Sequence, residues 1–288
     1  MKEEGMMSLA VSREPGTGRA KQFANFKKRI DRELLKHRVI TNNEFTAWFK
    51  KGEMTTEQVK AFIVQFSVFS NLFLIAQLHK MINADSVEGM RASKEILANE
   101  IGVIFNAPGK SKLTVKDKER EGDPELVSTE GTIEGGHFRF QAAHFEWLLK
   151  IASKLGLEFN DLGKRSVGTK PTLHYCDELV RLYGSDNYEI SQAASFAVEN
   201  WAAAGFWKEL IQGLTIFRKK HKIDLPLAFF TWHDRIEGQH AKHTHEELQE
   251  YYFKHSGIDE NNFIKYGNEM MDGIAVFWDG LNEQRKLL

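Results

Sequence analysis

The sequence predicts an all-α protein, and three observations support this class. Only five prolines interrupt its 288 residues. Alternating runs rich in Val, Ile and Thr, which are typical of half-buried strands, are scarce. The 21 phenylalanines recur mostly at the spacing that places side chains on one face of a helix. We therefore expect seven or eight helices packed into a compact bundle, with short connections and one long insertion.

The first half of the chain contains clear helix signals. Residues 55–58 (Thr-Thr-Glu-Gln) have the pattern of a capping box and open a long helix. Between residues 62 and 78 this helix is apolar on all sides, so we expect it to be buried, and polar residues within the stretch argue against a membrane span. Helices are expected at residues 21–37, 42–49, 55–83 and 86–104.

The second half begins with an insertion and continues as helices. Residues 106–136 contain Pro-Gly and Asp-Pro pairs, a run of charges and five glycines, which is typical of a long loop. Pro226 can occupy the first turn of the helix that follows it. We expect residues 1–18 to be a disordered leader and residues 19–288 to form a single helical domain with the insertion inside it. Further helices are expected at residues 137–155, 171–183, 187–220, 226–255 and 259–286.

Composition excludes several classes of function. The formal net charge is −1 and the pI is about 6.8, so nothing favours nucleic acid or an anionic membrane as a partner. The one cysteine, Cys176, excludes an intrachain disulfide and fits a reducing compartment. The first 18 residues lack the apolar core of a signal peptide. We therefore expect a cytoplasmic protein.

The most informative motif is His233, Glu237 and His240, separated by four and three residues. On an α-helix these steps return all three side chains to one face. Two imidazoles and a carboxylate form half of a transition-metal site that suits iron, manganese or zinc. A solvated helix face is the alternative interpretation, since polar residues follow the motif.

Three other ionisable residues stand where the helical pattern predicts burial: Glu100, His144 and Glu199. A carboxylate among Ala, Val and Phe is costly to bury unless it is paired or bound to a metal. With the motif, these residues give three histidines and three carboxylates, enough to hold two iron ions with positions open for O₂. A zinc protease site, which needs His-Glu-x-x-His, is excluded because Asp234 stands where the Glu is needed and the interval between the histidines is wrong.

A ferritin-like diiron site ranks second among the metal sites, because it needs two Glu-x-x-His pairs. Glu237 and His240 form one such pair. Glu134 and His137 form the other, but two glycines separate them, which is unfavourable inside a helix.

The order of these residues resembles that of the haem-oxygenase-like diiron oxidases and oxygenases, iron-containing redox enzymes of the TenA/PqqC-like superfamily. The resemblance covers roughly residues 20–282. It is carried by Glu100 with Gly102, His144 twelve residues before Gly156, Glu199 within a long helix, and His233, Glu237 and His240. It implies a haem-oxygenase-like bundle of seven to eight helices and two Fe(II) ions bound by Glu100, His144, Glu199, His233, Glu237 and His240.

Two departures from the family pattern bear on the site. Relatives more often carry Asp where this chain has Glu237, which is one methylene longer. The insertion before His144 is also long, and it makes Glu134 a candidate for an additional ligand.

The resemblance implies a non-haem diiron oxidoreductase that uses O₂ to oxidise a small molecule with an apolar part. Carbon–carbon cleavage, decarboxylation and N-oxygenation all occur in the family. The alternatives are a metal-free TenA/PqqC-like protein of cofactor metabolism and a non-enzymatic helical binding protein. We expect Cys176 to be a buried apolar residue, which does not support thiaminase-type chemistry.

Aromatic residues and long helices add three further expectations. Tyr175 and Tyr188 are candidates for oxidisable neighbours of the metal. Helices with two apolar faces favour a homodimer. We also expect a set of apolar side chains to form the wall of a substrate pocket, although the same residues serve as core: Phe62, Phe66, Phe69, Phe73, Trp201 and Phe206.

Overall fold

A computed structural model describes residues 17–106, 127–133, 136–141, 143–254 and 258–288. Residues 1–16 of the predicted leader lie outside this range, and the first helix begins at Thr17. The α-helices, in chain order, are α1 (Thr17–Glu33), α2 (Arg38–Thr41), α3 (Glu44–Phe49), α4 (Thr56–Ile82), α5 (Val87–Glu100), α6 (His144–Lys154), α7 (Lys170–Glu178), α8 (Tyr188–Ala202), α9 (Phe206–His221), α10 (Ala228–Lys254) and α11 (Glu260–Lys286).

Most helices begin where the sequence predicts. Thr55 caps α4 with a complete capping box, in which Thr55 accepts from the Gln58 N–H and Gln58 accepts from the Thr55 N–H. Asn43 caps α3, and Asp259 caps α11. Local hydrogen bonding at these caps therefore fixes the starts of three helices that carry much of the core.

A small antiparallel sheet replaces part of the expected loop and helix. Strands β1 (Val103–Asn106), β2 (Val127–Ile133) and β3 (Gly136–Gln141) pair in the order β1-β3-β2. The prediction of a helix from residue 137 was therefore wrong, since α6 begins only at His144. Residues 137–141 alternate polar and aromatic side chains, which is typical of a strand, and this alternation was the missed signal.

The long helix expected over residues 187–220 is broken into α8 and α9. The break falls at Gly205, whose backbone has φ +92° in the left-handed region that glycine adopts at little cost. Phe206 then starts α9. One glycine is therefore enough to separate two segments whose apolar patterns look continuous.

The segment that was expected as one α-helix over residues 171–183 changes from an α-helix to a π-helix near its end. α7 runs to Glu178 and continues as a π-helical turn, Leu179–Tyr183. π turns are rare, and they occur frequently beside functional sites. This turn places Tyr183 in the core with none of its side chain exposed.

Helix α4 is only partly buried, in contrast to the prediction of full burial. Its first half is enclosed, whereas Ile75, Leu78 and Ile82 are exposed near its end. Within the described residues it is the one helix long and apolar enough to cross a membrane by length and composition, and half of that apolar window is buried. Core helices of globular proteins also have these properties.

The packing of the helices brings the predicted ligand-bearing segments together. α11 packs extensively against α8 and α7, while α4 lies against α5 and α6. α10 contacts α8, α9 and α6. The helices that carry Glu100, His144, Glu199 and His233 are thus neighbours around one part of the core.

Replacement of Gly213 tests how tightly α9 packs on α3. An alanine Cβ at this position would overlap the backbone carbonyl of Phe49. Alanine gains about 1 kcal/mol in helix propensity, but we expect overpacking to dominate and Gly213→Ala to lower the free energy of unfolding by about 1–3 kcal/mol.

Gly18→Ala is the matched control, because Gly18 is an exposed position near the start of α1 and a Cβ there meets no atom within 4 Å. We expect this control to leave stability unchanged or slightly raised. Urea denaturation of both variants measures the difference. Equal stabilities would contradict the close α9–α3 approach.

Candidate metal centre

Glu100, His144 and His233 converge on one point in the core. Each offers one ligand atom, and these atoms all lie within 4.8 Å of one another. Glu100 comes from the last residue of α5, His144 from the first residue of α6, and His233 from the second turn of α10. Two imidazoles and one carboxylate with open positions are the ligand set typical of non-haem iron(II) oxygenases.

The ring of His233 is held by its own helix. Its Nδ1 donates a hydrogen bond of 2.6 Å to the carbonyl oxygen of Phe229, one turn earlier. This contact fixes the tautomer in which Nε2 carries the lone pair. A second partner of this kind orients most histidines that bind metals in proteins.

His144 presents a buried nitrogen that makes no hydrogen bond. Its Nδ1 lies 2.6 Å from the Glu100 Oε2, yet the geometry of this close contact is not that of a hydrogen bond. Buried polar atoms nearly always have a partner, so an orphaned nitrogen beside a carboxylate needs an explanation. A cation bound by both atoms would supply one.

His144 is the first residue of α6, and its side chain is only 5% exposed. The orphaned nitrogen therefore lies inside the core and not at the surface.

Glu199 lies in the same part of the core. It is 7% exposed in the last turn of α8 and lines one cavity together with Glu100 and His233. Small alanines surround it in sequence, as expected for a helix that a neighbour approaches closely. The structure thus brings four of the six predicted ligands around one site.

The other predicted ligands lie outside what the structure describes. The α10 backbone is helical through residues 237 and 240, so the spacing of the motif with His233 lies on a continuous helix. The side chains of Glu237 and His240 are not among those described, and neither is Glu134. Their roles as ligands stay predictions.

The cavity beside these residues is small and aromatic, with a volume of about 70 Å³. Four of the predicted wall residues line it: Phe66, Phe69, Phe73 and Trp201. Phe62 and Phe206 do not, and pack in the core instead. The wall also includes three aromatic residues that were not predicted: Trp207, Phe229 and Trp232.

These missed residues pack directly against the imidazoles. His233 stacks on Trp207 with ring centroids 4.7 Å apart and an interplanar angle of 22°. Trp232 lies edge-on to His144 at 4.7 Å. Phe229 and Trp232 could have been found from sequence, because they lie one turn and one residue before His233. The result is a largely aromatic surrounding for the two imidazoles.

The buried tyrosines differ in their hydrogen bonding. Tyr175 is fully enclosed, and its hydroxyl has no hydrogen-bond partner. Burial raises the pKa of Tyr175 well above its ordinary value, and the charge of Glu199 adds to the shift. Burial also raises the pKa of Tyr188. Tyr183, which was not predicted, accepts a hydrogen bond of 2.7 Å from Gln77 Nε2.

Cys176 has the properties of an inert core residue. It is 3% exposed, and burial raises the pKa of its thiol to about 12. A thiol with such a pKa is almost entirely protonated near neutral pH and is a poor nucleophile. It is also absent from the lining of the aromatic cavity.

Solved structures with the same arrangement of helices place this architecture in a known fold. A domain of unknown function from Shewanella denitrificans, described as having a haem-oxygenase-like fold, superposes with a TM-score of 0.56 at 12% identity, covering 93% of each chain. The chain has the haem-oxygenase-like fold. The all-α prediction and the predicted fold are thus confirmed, with the small sheet as an addition.

Two further solved structures share this haem-oxygenase-like fold. A CADD-like protein of unknown function from Nostoc punctiforme matches with a TM-score of 0.58 at 15% identity, over 92% of this chain and 99% of that one. A TenA homologue from Pseudomonas syringae matches with a TM-score of 0.53 at 10% identity, over 98% and 99%. No family model matches the sequence, and no curated protein does either.

Tyr175 and Tyr183 give a matched test of buried polar groups. We expect Tyr175→Phe to leave stability unchanged or to raise it by up to about 1–3 kcal/mol, because it removes an unsatisfied hydroxyl. Tyr183→Phe should lower stability by about 1 kcal/mol, because it removes a hydrogen bond and leaves Gln77 Nε2 without its partner. Urea denaturation at neutral pH measures both.

The burial of Tyr175 predicts how the stability of the protein changes at alkaline pH. The pKa of Tyr175 in the folded protein lies above its value in the unfolded chain. The contribution of Tyr175 to the free energy of unfolding is therefore constant at neutral pH and is lost as pH rises past the unfolded pKa near 10. Stability of Tyr175→Phe should therefore fall less steeply above that pH than stability of the wild type. Parallel alkaline profiles would contradict the burial of this phenol.

Proposed function

We propose that the protein is an O₂-activating non-haem diiron oxidase or oxygenase acting on a small molecule. The observation that supports this most directly is the buried, orphaned Nδ1 of His144 beside Glu100 and His233. Nitrogen and oxygen donors in a water-poor site suit iron. Glu100, His144, Glu199, His233, Glu237 and His240 would be the ligands. When bound, the two ferrous ions would supply the electrons that activate O₂.

The residues of the chain prepare the site for this chemistry. Phe229, through its carbonyl, holds the His233 ring so that Nε2 faces the ligand cluster. Trp207 supports the other face of that ring by stacking. Rigid support of this kind keeps ligand atoms in place without a reorganisation cost when they bind.

The cavity supports a substrate with an apolar part. Its wall is formed by aromatic side chains of α4, α8, α9 and α10, and its charged lining residues are the proposed ligands themselves. Exclusion of water from such a site strengthens electrostatic contacts and prevents leakage of reactive species to solvent. Oxidative carbon–carbon cleavage, decarboxylation and N-oxygenation are all compatible with this wall.

A metal-free binding function is the second candidate, and the aromatic enclosure is the observation that favours it. Trp201 and Trp232 line the cavity, and flat aromatic side chains of this kind are what a ring-shaped ligand packs against. Nucleophilic catalysis by Cys176 is not part of this candidate, because that thiol is buried with a raised pKa. This candidate predicts ring binding without a requirement for iron.

Metal loading distinguishes the two candidates. After anaerobic loading, we expect about two Fe per chain in the wild type, the number that six ligands can hold. His144→Ala and His233→Ala should each lower iron affinity by at least about 10- to 100-fold, the loss typical even for groups that only orient a ligand. Iron analysis after gel filtration measures the stoichiometry.

His174→Ala is the control, because this histidine is exposed and lies far from the ligands in sequence. Its iron content should equal that of the wild type. A wild-type protein that retains no iron would refute the proposal, and one that retains a single equivalent would refute its diiron form. Exposure of the loaded protein to O₂ with a panel of fatty acids, amino acids and amines then identifies the reaction.

A further inference from the structure

Four tryptophans, joined by two phenylalanines, form a series of ring contacts between the candidate metal centre and the protein surface. They are Trp207, Trp201, Trp278 and Trp48, and we call this series the tryptophan path. Trp207 and Trp201 line the aromatic cavity. The first three members of the path are at most 5% exposed, whereas Trp48, on α3, is half-buried. The path therefore has one end at the cavity and the other near solvent.

The inner half of the path begins at a proposed ligand. Trp207 stacks on His233, with ring centroids 4.7 Å apart. Phe206 lies between Trp207 and Trp201, at 4.5 Å from the first ring and 4.7 Å from the second. The rings of Phe206 and Trp201 are nearly parallel, with an interplanar angle of 14°. Each step falls within the roughly 4.5–7 Å that separates the centroids of aromatic rings in contact.

The outer half of the path continues from Trp201 towards the surface. The ring centroids of Trp201 and Trp278 are 6.3 Å apart. Phe45 then lies 5.6 Å from Trp278 and 5.5 Å from Trp48. A second contact, of 5.5 Å between Phe206 and Trp278, bypasses Trp201. Ring contacts therefore join the cavity wall to the half-buried Trp48 through the core.

Packing alone does not explain why these core residues are tryptophans. The Nε1 atoms of Trp201, Trp207 and Trp278 are buried, and none has a hydrogen-bond partner among the described residues. A buried N–H without a partner costs free energy, and phenylalanine would fill much of the same space without that cost. Indole differs from the phenylalanine ring in a second respect, because it gives up one electron far more readily. Three orphaned indoles in one series of contacts therefore favour a role in electron transfer.

The missing partners also determine what an oxidised indole does. An indole that has lost one electron becomes a strong acid at Nε1 and passes its proton to any acceptor within hydrogen-bond reach. The three buried Nε1 atoms have no such acceptor in the part of the chain that the structure describes, so each ring keeps its proton. The lost electron can then be replaced from the next ring without a proton to recover.

The outer end of the path is suited to an anionic reductant. The Arg285 guanidinium lies 4.2 Å from the centroid of the Trp48 ring. Its positive charge attracts anions to this part of the surface. Thiolates are anions that give up one electron, so a thiol compound in solution is the class of reductant that fits this end.

We propose that the tryptophan path carries single electrons from a thiolate in solution to the cavity. This inference rests on the proposed function, because O₂ activation without a substrate to oxidise leaves a strong oxidant beside the ligands. That oxidant takes one electron from Trp207, and each indole of the path is refilled in turn by the next one outward. Trp48 takes its electron from the thiolate, which becomes a thiyl radical. Every indole ends unchanged, no proton moves along the path, and the ligand side chains are spared oxidation.

Electron transfer along the path can be tested in metal-free protein. Azidyl radicals produced by pulse radiolysis oxidise the tryptophans that they can reach, and mass spectrometry of peptides then locates the oxidised residues. We expect oxidised Trp278 in the wild type, although this ring is buried, because its electron is lost through Trp48. Trp48→Phe should lose this product. Oxidation of Trp278 that persists in Trp48→Phe, or that never occurs in the wild type, would overturn the path.

Tyr266→Phe is the matched control for Trp48→Phe. Tyr266 is also a half-buried, oxidisable ring under a basic side chain, since the Lys265 ammonium group lies 4.9 Å from its centroid. Within the described residues it has no ring contact with the path. Oxidation of Trp278 should therefore be the same in this variant as in the wild type.

Trp147 provides a measure of the radical dose within each sample. It is the remaining tryptophan with an orphaned Nε1, and it lies off the path against Trp232, which is itself half-buried. Its oxidation should be equal in the wild type and in both variants. A loss of Trp147 oxidation together with that of Trp278 would show a general effect of the substitution and would contradict transfer through Trp48.

The protective role is tested in iron-loaded protein whose metal content has been measured first. Repeated cycles of anaerobic reduction and exposure to O₂ without substrate should oxidise His144 and His233 more in Trp48→Phe than in the wild type. Glutathione should lower this damage in the wild type but not in Trp48→Phe, and Tyr266→Phe should match the wild type. Equal damage with and without glutathione in the wild type would overturn the supply of electrons by thiolates.

The two experiments separate two kinds of failure. A wild type that binds no iron overturns the proposed function and with it the protective role, while the metal-free experiment still decides whether the path transfers electrons. A wild type that binds iron but shows no oxidation of Trp278 through Trp48 overturns the path alone.

Discussion

The organisation of this protein depends on the burial of ionisable side chains in an aromatic core. Glu100, His144, Glu199 and His233 lie where water is largely excluded, and charged groups in such surroundings cost several kcal/mol unless a partner compensates. The helices could bury apolar residues at these positions with no such penalty. Their convergence supports the proposal that these side chains form a binding site for a cation.

This constraint explains features that packing alone does not. Phe229 and Trp207 fix the orientation and the tautomer of the His233 ring.

Sequence reasoning succeeded where a single physical signal dominated. The caps at Thr55 and Asn43 are local, and they fixed helix starts. Glu100, His144, Glu199 and His233 were identified because an ionisable residue in an apolar pattern is conspicuous. The break at Gly205 was missed because the apolar periodicity continues through it. The sheet was missed because the strand alternation at residues 137–141 is only five residues long, and pairing with distant strands cannot be deduced from one segment.

The π turn at Leu179–Tyr183 has a consequence for how two helices mesh. Tyr175 and Tyr183 are eight residues apart, so in a regular α-helix their directions would differ by about 80°. The extra residue in the π turn reduces this difference in direction around the helix axis to about 20°, in the opposite sense. The two tyrosines therefore each contact one of Phe69 and Phe73, which are four residues apart on α4. The ring centroids lie 4.9 Å apart for Phe69 and Tyr175 and 5.3 Å apart for Phe73 and Tyr183. A single added residue thus keeps both tyrosines in register with α4, and it places the Tyr183 ring against Phe73, which lines the cavity.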